Sequence, residues 1–228
     1  DSVGGGVCQI ATTLYDASLA AELEITQRQN HSMIVTDVKP SMDAAIAGDY
    51  KDLRFVNNQD IPIYIEGYTE GKNVTFKIYG HDTRPSNRVV TYESEVVSEQ
   101  DPGTQYVATG DPAGYMKTAQ GKHIGYVARL WKVVTEDGVE ESREIFNKST
   151  YKASPKIVNV GTASADPNVS AVIGAALATG DEATINAAVA PYAASAAAIL
   201  NPAPVEQPSQ EEQAITGTVD ESQITGGE

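Results

Sequence analysis

The chain has 228 residues, 41% of them apolar and 21% charged, which is enough to bury a core as one large domain or two small ones. Its formal net charge of −15 is unevenly placed: residues 163–228 carry nine Asp or Glu and no Lys or Arg, while residues 1–162 carry 22 acids against 16 bases. A grip on a phosphate backbone needs clustered Lys and Arg that displace counterions, so DNA and RNA are excluded as partner classes.

In chain order, a run of small residues, Gly4-Gly5-Gly6, leads into apolar positions at Val7, Ile10, Ala11, Leu14, Ala17, Leu19, Ala21 and Leu23. That spacing, with no Gly or Pro from Val7 to Arg28, predicts one helix of about four turns with Cys8 in its first turn. Ile61, Ile63 and Ile65 then alternate with polar or aromatic neighbours, as do Val74, Phe76 and Ile78; Thr69-Glu70-Gly71-Lys72 between them predicts a β-hairpin. From about Asn87 to Thr162 the chain is strand-rich, with β-branched and aromatic runs at Val89–Tyr92 and Val127–Val134. An Asp137-Gly138 turn leads into Val139–Phe146. Few apolar residues fall on each strand, so an elongated β module with a small core is expected.

Composition changes sharply after Thr162. Asp166–Leu200 is Ala-dominated and predicts short helices, broken at Gly180-Asp181-Glu182 and again at Pro191. From Asn201 onward Pro, Gln, Glu, Ser, Thr and Gly dominate without an aromatic residue, the composition of a disordered acidic tail. The longest uncharged stretch, Ala183–Val205, is mostly Ala and holds Pro191, Pro202 and Pro204, so no membrane span is assigned. The divisions expected are 1–83, 84–162, 163–200 and 201–228. The fold class is α+β: a Cys-bearing helix beside an antiparallel sheet, then the all-β module, then the tail. The chain opens at Asp1 inside a motif, and a leader or anchor is expected upstream of it.

The sharpest chemical feature is the lone cysteine, Cys8, which excludes an internal disulfide and every multi-thiolate zinc site. Gly5, Gly6 and Val7 can aim successive N–H groups at one point before the helix starts, the arrangement of an oxyanion hole. A helix N-terminus also favours thiolate over thiol. Free cysteine equally packs as a small hydrophobe, so Cys8 is either a nucleophile or inert filling. Of three histidines, His31 is the candidate base, lying in Gln29-Asn30-His31-Ser32 where a chain reversal can return it toward Cys8; His81 and His123 read as surface residues. Asp43 has three readings: orienting His31, binding a substrate amine, or capping a turn. No phosphate-binding loop, dinucleotide fingerprint or zinc-ligand spacing is present in the sequence, and no cofactor or metal is expected.

The blocks Ser2-Val3-Gly4-Gly5-Gly6-Val7-Cys8-Gln9, Thr12-Thr13-Leu14-Tyr15, His31-Ser32, Asp43-Ala44, Phe55-Val56-Asn57-Asn58 and Pro62-Ile63-Tyr64-Ile65 resemble, in this order, the C-terminal half of a VanW domain. The upstream half of that domain, with its aromatic Phe-Ser-Phe-Asn-like block, is missing from this sequence. Gly121, Gly125, Gly138 and the closing Pro155–Thr162 resemble the G-five module, a cell-wall-associated β domain named for its glycines. The first resemblance implies an L,D-transpeptidase-like enzyme of the extracellular wall with Cys8 as nucleophile, His31 as general base and peptidoglycan stem peptides as substrates. The second implies recognition of glycan containing N-acetylglucosamine. The alternative is a non-catalytic peptidoglycan-binding or surface scaffolding protein. A third reading is that the β module alone binds glycan, with exposed Tyr106, Tyr115, Tyr126 or Trp131 stacking on sugar faces; strands also bury aromatics, and for Trp131 the core reading is favoured.

Overall fold

A computed structural model describes residues 5–201; Ser2, Val3 and Gly4 and the acidic tail from Pro202 lie outside the described residues. The elements are helix α1 (Val7–Ala20), strands β1 (Glu24–Gln27), β2 (Arg54–Val56), β3 (Tyr64–Glu70) and β4 (Asn73–Tyr79). Then come β5 (Arg88–Gln100), β6 (Thr104–Pro112), β7 (Met116–Gln120), β8 (Gly125–Glu136), β9 (Val139–Tyr151) and β10 (Lys156–Ala163). Helices α2 (Pro167–Thr179), α3 (Glu182–Val189) and α4 (Ala193–Leu200) follow, with a single 3₁₀ turn at Ala190–Tyr192 between the last two.

The first helix has 14 residues, the roughly four turns its pattern predicts, and it ends at Ala20 because Glu22 turns left-handed with φ 54°. Leu23 N–H then reaches back to Ser18 O at 3.0 Å and Glu22 N–H to Leu19 O at 2.9 Å, the paired bonds of a Schellman cap. Leu23 is buried just beyond the cap. A glutamate is a rare choice for this conformation, and its own carboxylate compensates. Arg88 donates both Nη atoms to it at 2.6 and 3.0 Å, Lys132 lies at 3.0 Å and Arg84 at 3.2 Å. Nothing in the local sequence signals that arrangement.

The hairpin forms from β3 and β4 in register from Tyr64↔Tyr79 to Glu70↔Asn73, closed by Gly71 (φ 61°) and Lys72. Ile61 and Ile63 fall before its first strand, which starts at Tyr64. The region after Asn87 forms two three-stranded sheets, β5-β8-β9, wholly antiparallel, and β6-β10-β7, in which β6 and β10 run parallel.

Each of these sheets closes a separate core. Tyr15, Leu19, Ala11 and Ala44 from the N-terminal part pack on Leu130, Tyr92 and Phe146 of β5-β8-β9. Val158 and Val160 of β10 pack instead on Ile173, Ala176, Ile185 and Val189 from α2 and α3. The Ala-rich helices therefore cover the second sheet. Asp166 caps α2 by accepting Asn168 N–H at 2.9 Å, Gly180 (φ 68°) ends it, and Asp181 caps α3 by accepting Thr184 N–H at 2.7 Å. Although no span is assigned from sequence, Glu182–Leu200 has 19 residues of mean hydropathy 1.4, long and apolar enough to cross a membrane. Here it passes through the 3₁₀ turn at Ala190–Tyr192, and Ile185 and Val189 are buried in the second core.

Candidate active site

Gly6 sits at φ 87° as the residue before α1, a left-handed turn that a side chain resists, and it sets Cys8 in the helix's first turn. The first helical bond runs from Ile10 N–H to Gly6 O at 2.9 Å, so the N–H groups of Val7, Cys8 and Gln9 lie at the open end of the helix. Gly5, Gly6 and Val7 are exposed there. The half-buried Cys8 thiol faces the backbone of Ile46: Sγ accepts Ile46 N–H at 3.5 Å and its own hydrogen points to Ile46 O at 3.6 Å.

One turn along, Thr12 locks the same segment. Its hydroxyl accepts Ala44 N–H at 3.0 Å and donates to Ala44 O at 3.2 Å. The extended stretch Asp43–Ile46 is thereby laid along α1, with Ala45 N–H held by Gln29 O at 2.9 Å on its other side. This pairing brings Asp43 and His31 to the end of the helix that carries Cys8.

Asp43 is fully buried, and every oxygen of its carboxylate is occupied. Oδ2 accepts the backbone N–H of His31 at 2.6 Å and faces His31 Nδ1 at 2.7 Å. Oδ1 accepts Arg28 Nη2 at 2.9 Å and the Tyr151 hydroxyl at 2.5 Å. Burial is the largest single influence on this carboxyl and acts to raise its pKa. The donors from His31 and Tyr151 and the charge of Arg28 together outweigh burial, and the pKa falls below the ordinary value. An ionised acceptor fixes the hydrogen of a neutral imidazole on Nδ1 and leaves Nε2 free to take a proton. Asp43 Oδ2 thus contacts both the ring and the backbone of His31.

Cys8 and His31 line one cavity of about 300 Å³, together with Thr12, Asp37 and, from the hairpin turn, Lys72. His31 follows the turn at Glu22 and then strand β1, which pairs with β2 through Glu24↔Val56 and Ile25↔Phe55. His81 and His123 stand elsewhere: His81 borders a separate cleft of about 570 Å³ at the far end of α1, and the backbone of His123 pairs with that of Ser154. That larger cleft is built around Glu22 and its three cations, which satisfy one another.

Sequence reasoning missed Arg28 and Tyr151. The Arg28 side chain is 5% exposed; it donates to Asp43 through Nη2, to the Asp43 carbonyl through Nε at 2.6 Å and to Ser149 through Nη1 at 2.8 Å, and stacks 5.6 Å over the Tyr15 ring. Tyr151 comes from β9, 108 residues beyond Asp43, and burial pushes its hydroxyl pKa up to about 12, with the neighbouring Asp43 adding to the effect. No local pattern marks either residue.

Comparison with known proteins agrees with the arrangement of the chain. Residues 1–79 match the family model described as VanW like protein, and residues 88–163 match the G5 domain. The two matches follow one another along the chain, the VanW-like segment first and the G5-like segment second. Among curated proteins, the uncharacterized protein YoaR of Bacillus subtilis is 37% identical over 82 residues, which is 36% of this chain and 27% of that protein. The match thus spans about a quarter of the relative's length. Among solved structures, the G5 domain of an IgA1 protease is 25% identical over 34% of this chain and 94% of its own, with a TM-score of 0.24. The G5 domain of HP0197 is 17% identical over 32% of this chain and 99% of its own, with a TM-score of 0.18. VanW and G5 families are typically associated with the cell wall.

Proposed function

We propose that this protein remodels bacterial peptidoglycan outside the cell by L,D-transpeptidase-like acyl transfer through Cys8. The observation that supports the reading best is that Cys8 and His31 share one cavity while a buried, ionised Asp43 holds the His31 ring from behind. A nucleophile, a base and a group orienting the base are the parts of thiol acyl transfer.

In this reading, His31 Nε2 takes the Cys8 proton and the thiolate attacks the carbonyl of the third stem-peptide residue, a diamino acid. Of Gly5, Gly6 and Val7, read from the sequence as the oxyanion hole, Val7 lies inside the helix start; its N–H and those of Cys8 and Gln9, together with the dipole behind them, stabilise the developing oxyanion. The C–N bond breaks, D-Ala leaves with the proton held by His31, and a thioester remains on Cys8. An amine from a second stem, or water, then attacks that thioester, gives its proton to His31 and restores the thiolate. The G5 segment contributes affinity for glycan containing N-acetylglucosamine, which keeps the cavity near its substrate.

The test is incubation of the protein with tetrapeptide muropeptides. Cross-linked dimers or free D-Ala are expected from the wild type, and both are expected to vanish in Cys8→Ala. A second reading, a non-catalytic wall-binding protein, is favoured by one observation: the thiol is already engaged by Ile46 on both its donor and acceptor sides, as a packed cysteine would be. On that reading Cys8→Ala lowers stability and leaves binding to purified peptidoglycan unchanged.

A further inference from the structure

The end of strand β9 belongs to the segment matching the G5 model, yet it runs along the segment that carries His31. Ser149 Oγ accepts Arg28 Nη1 at 2.8 Å, Thr150 O accepts Asn30 Nδ2 at 2.9 Å, and Lys152 N–H donates to Ser32 O at 2.7 Å. These contacts bracket His31 from both sides. Between them Tyr151, itself 2% exposed, points its hydroxyl at Asp43 Oδ1 and with the same oxygen accepts the N–H of Ser41 at 2.7 Å. Ser41 is fully buried and held at φ 70°, a backbone conformation that a serine adopts only when its surroundings impose it.

We propose that Tyr151 is a positioning residue for the Cys8–His31 pair, so that the G5 segment completes the VanW-like site as well as carrying any affinity for the wall. This rests on the catalytic reading of Cys8 given above. Asp43 can orient His31 only if its carboxylate cannot rotate. Its four donors come from three directions: His31 itself, Arg28 and Tyr151. Removing the hydroxyl leaves one carboxylate oxygen with a single donor and leaves the buried Ser41 N–H without an acceptor. Both losses loosen the turn Ser41–Asp43 that aims the carboxylate at the ring. A tether would need no buried hydroxyl at this place.

The test compares the full chain with Tyr151→Phe, taking Tyr92→Phe as the control. Tyr92 is a half-buried tyrosine of the same sheet that stacks edge-on against Phe146. Two readouts are used: the proton NMR signal of the His31 ring N–H that faces Asp43, and kcat and KM on muropeptides. Tyr151→Phe is expected to shift or broaden the ring signal and to lower kcat about tenfold or more with KM within twofold, while Tyr92→Phe changes neither. An unmoved ring signal in folded Tyr151→Phe overturns the proposal. Should that variant not fold, a ring-fluorinated tyrosine at position 151 keeps the heavy-atom contacts and makes the hydroxyl a stronger donor; the ring signal must then move, and an unchanged signal overturns the proposal. Absence of wild-type activity on muropeptides sinks the transpeptidase reading by itself, and the ring signal still decides whether Tyr151 holds the pair.

Discussion

His31 Nδ1 stands 2.7 Å from Asp43 Oδ2, while the backbone N–H of the same histidine lies 2.6 Å from the same oxygen. One carboxylate oxygen thus contacts both the ring and the backbone of the same residue. Asp43→Asn is expected to lower acyl-transfer kcat by about 10³- to 10⁴-fold, because an amide no longer selects the tautomer with Nε2 free. It also leaves Arg28, with a side chain 5% exposed, without its countercharge, at a cost of about 3 kcal/mol in folding stability. Single-turnover kinetics and urea unfolding separate the two effects.

Glu22 gives an acid-dependent prediction. Hydrogen bonds from Arg88, and then from Lys132 and Arg84, lower its pKa from the ordinary 4.5 to about 2, against the opposing effect of burial. A lowered folded-state value contributes stability that is present above the unfolded value and lost as pH falls through the folded one. Wild type is therefore expected to exceed Glu22→Gln by on the order of 2 kcal/mol at pH 6, after allowing for solvent screening of Arg84, with the gap closing between about pH 4.5 and 2. Thermal midpoints of the two proteins across that range check it, and a constant gap contradicts it.

Asp16 behaves oppositely. Its Oδ1 is buried without a hydrogen-bond partner, and burial first, with the negative charge of Asp43 second, raises its pKa from 3.8 to about 6. A raised carboxyl favours the folded state below its unfolded value, and that contribution disappears as pH rises through the folded value. Asp16→Asn is expected to gain on the wild type between about pH 4 and 7, by on the order of 2 kcal/mol. A difference in thermal midpoint that stays flat over this window would refute the assignment.

Gly114 tests the packing of the C-terminal helices on the second sheet. It sits at φ 101°, and a Cβ added there would lie 2.2 Å from Tyr192 O and 2.7 Å from Ala193 N, both backbone atoms. Gly114→Ala is expected to cost about 3 kcal/mol or more. Gly138→Ala, at φ 80° with nothing within 4 Å, is expected to cost about 1 kcal/mol from backbone strain alone. Equal losses in chemical denaturation would mean that the 3₁₀ turn does not rest against Gly114.

What the sequence disclosed was what is local. The β3-β4 hairpin was readable because alternation has a period of two and Gly71 marks the turn, both within a few residues. The turn before Cys8 was readable because only glycine supplies Gly6's φ of 87° freely. The end of α1 was not, because Glu22 turns left-handed through partners 62 to 110 residues away, and no propensity encodes those. Asp43 stood out as one of three alternatives, whereas the approach of His31, Arg28 and Tyr151 to its carboxylate was not legible. The last arrives from 108 residues away, in a segment that reads as a module of its own. Division into a first part and a β module follows sequence pattern, whereas the cores follow sheets: Leu130 packs with Tyr15, and Val160 with Ile173.

The most direct test is intact-mass analysis of the protein quenched in acid during incubation with a tetrapeptide muropeptide. The account predicts an adduct equal to the muropeptide less D-Ala, released by hydroxylamine, mapped to Cys8 and missing from Cys8→Ala. Dimer formation that persists in Cys8→Ala, or a wild-type protein that binds the muropeptide and never carries the adduct, would contradict it.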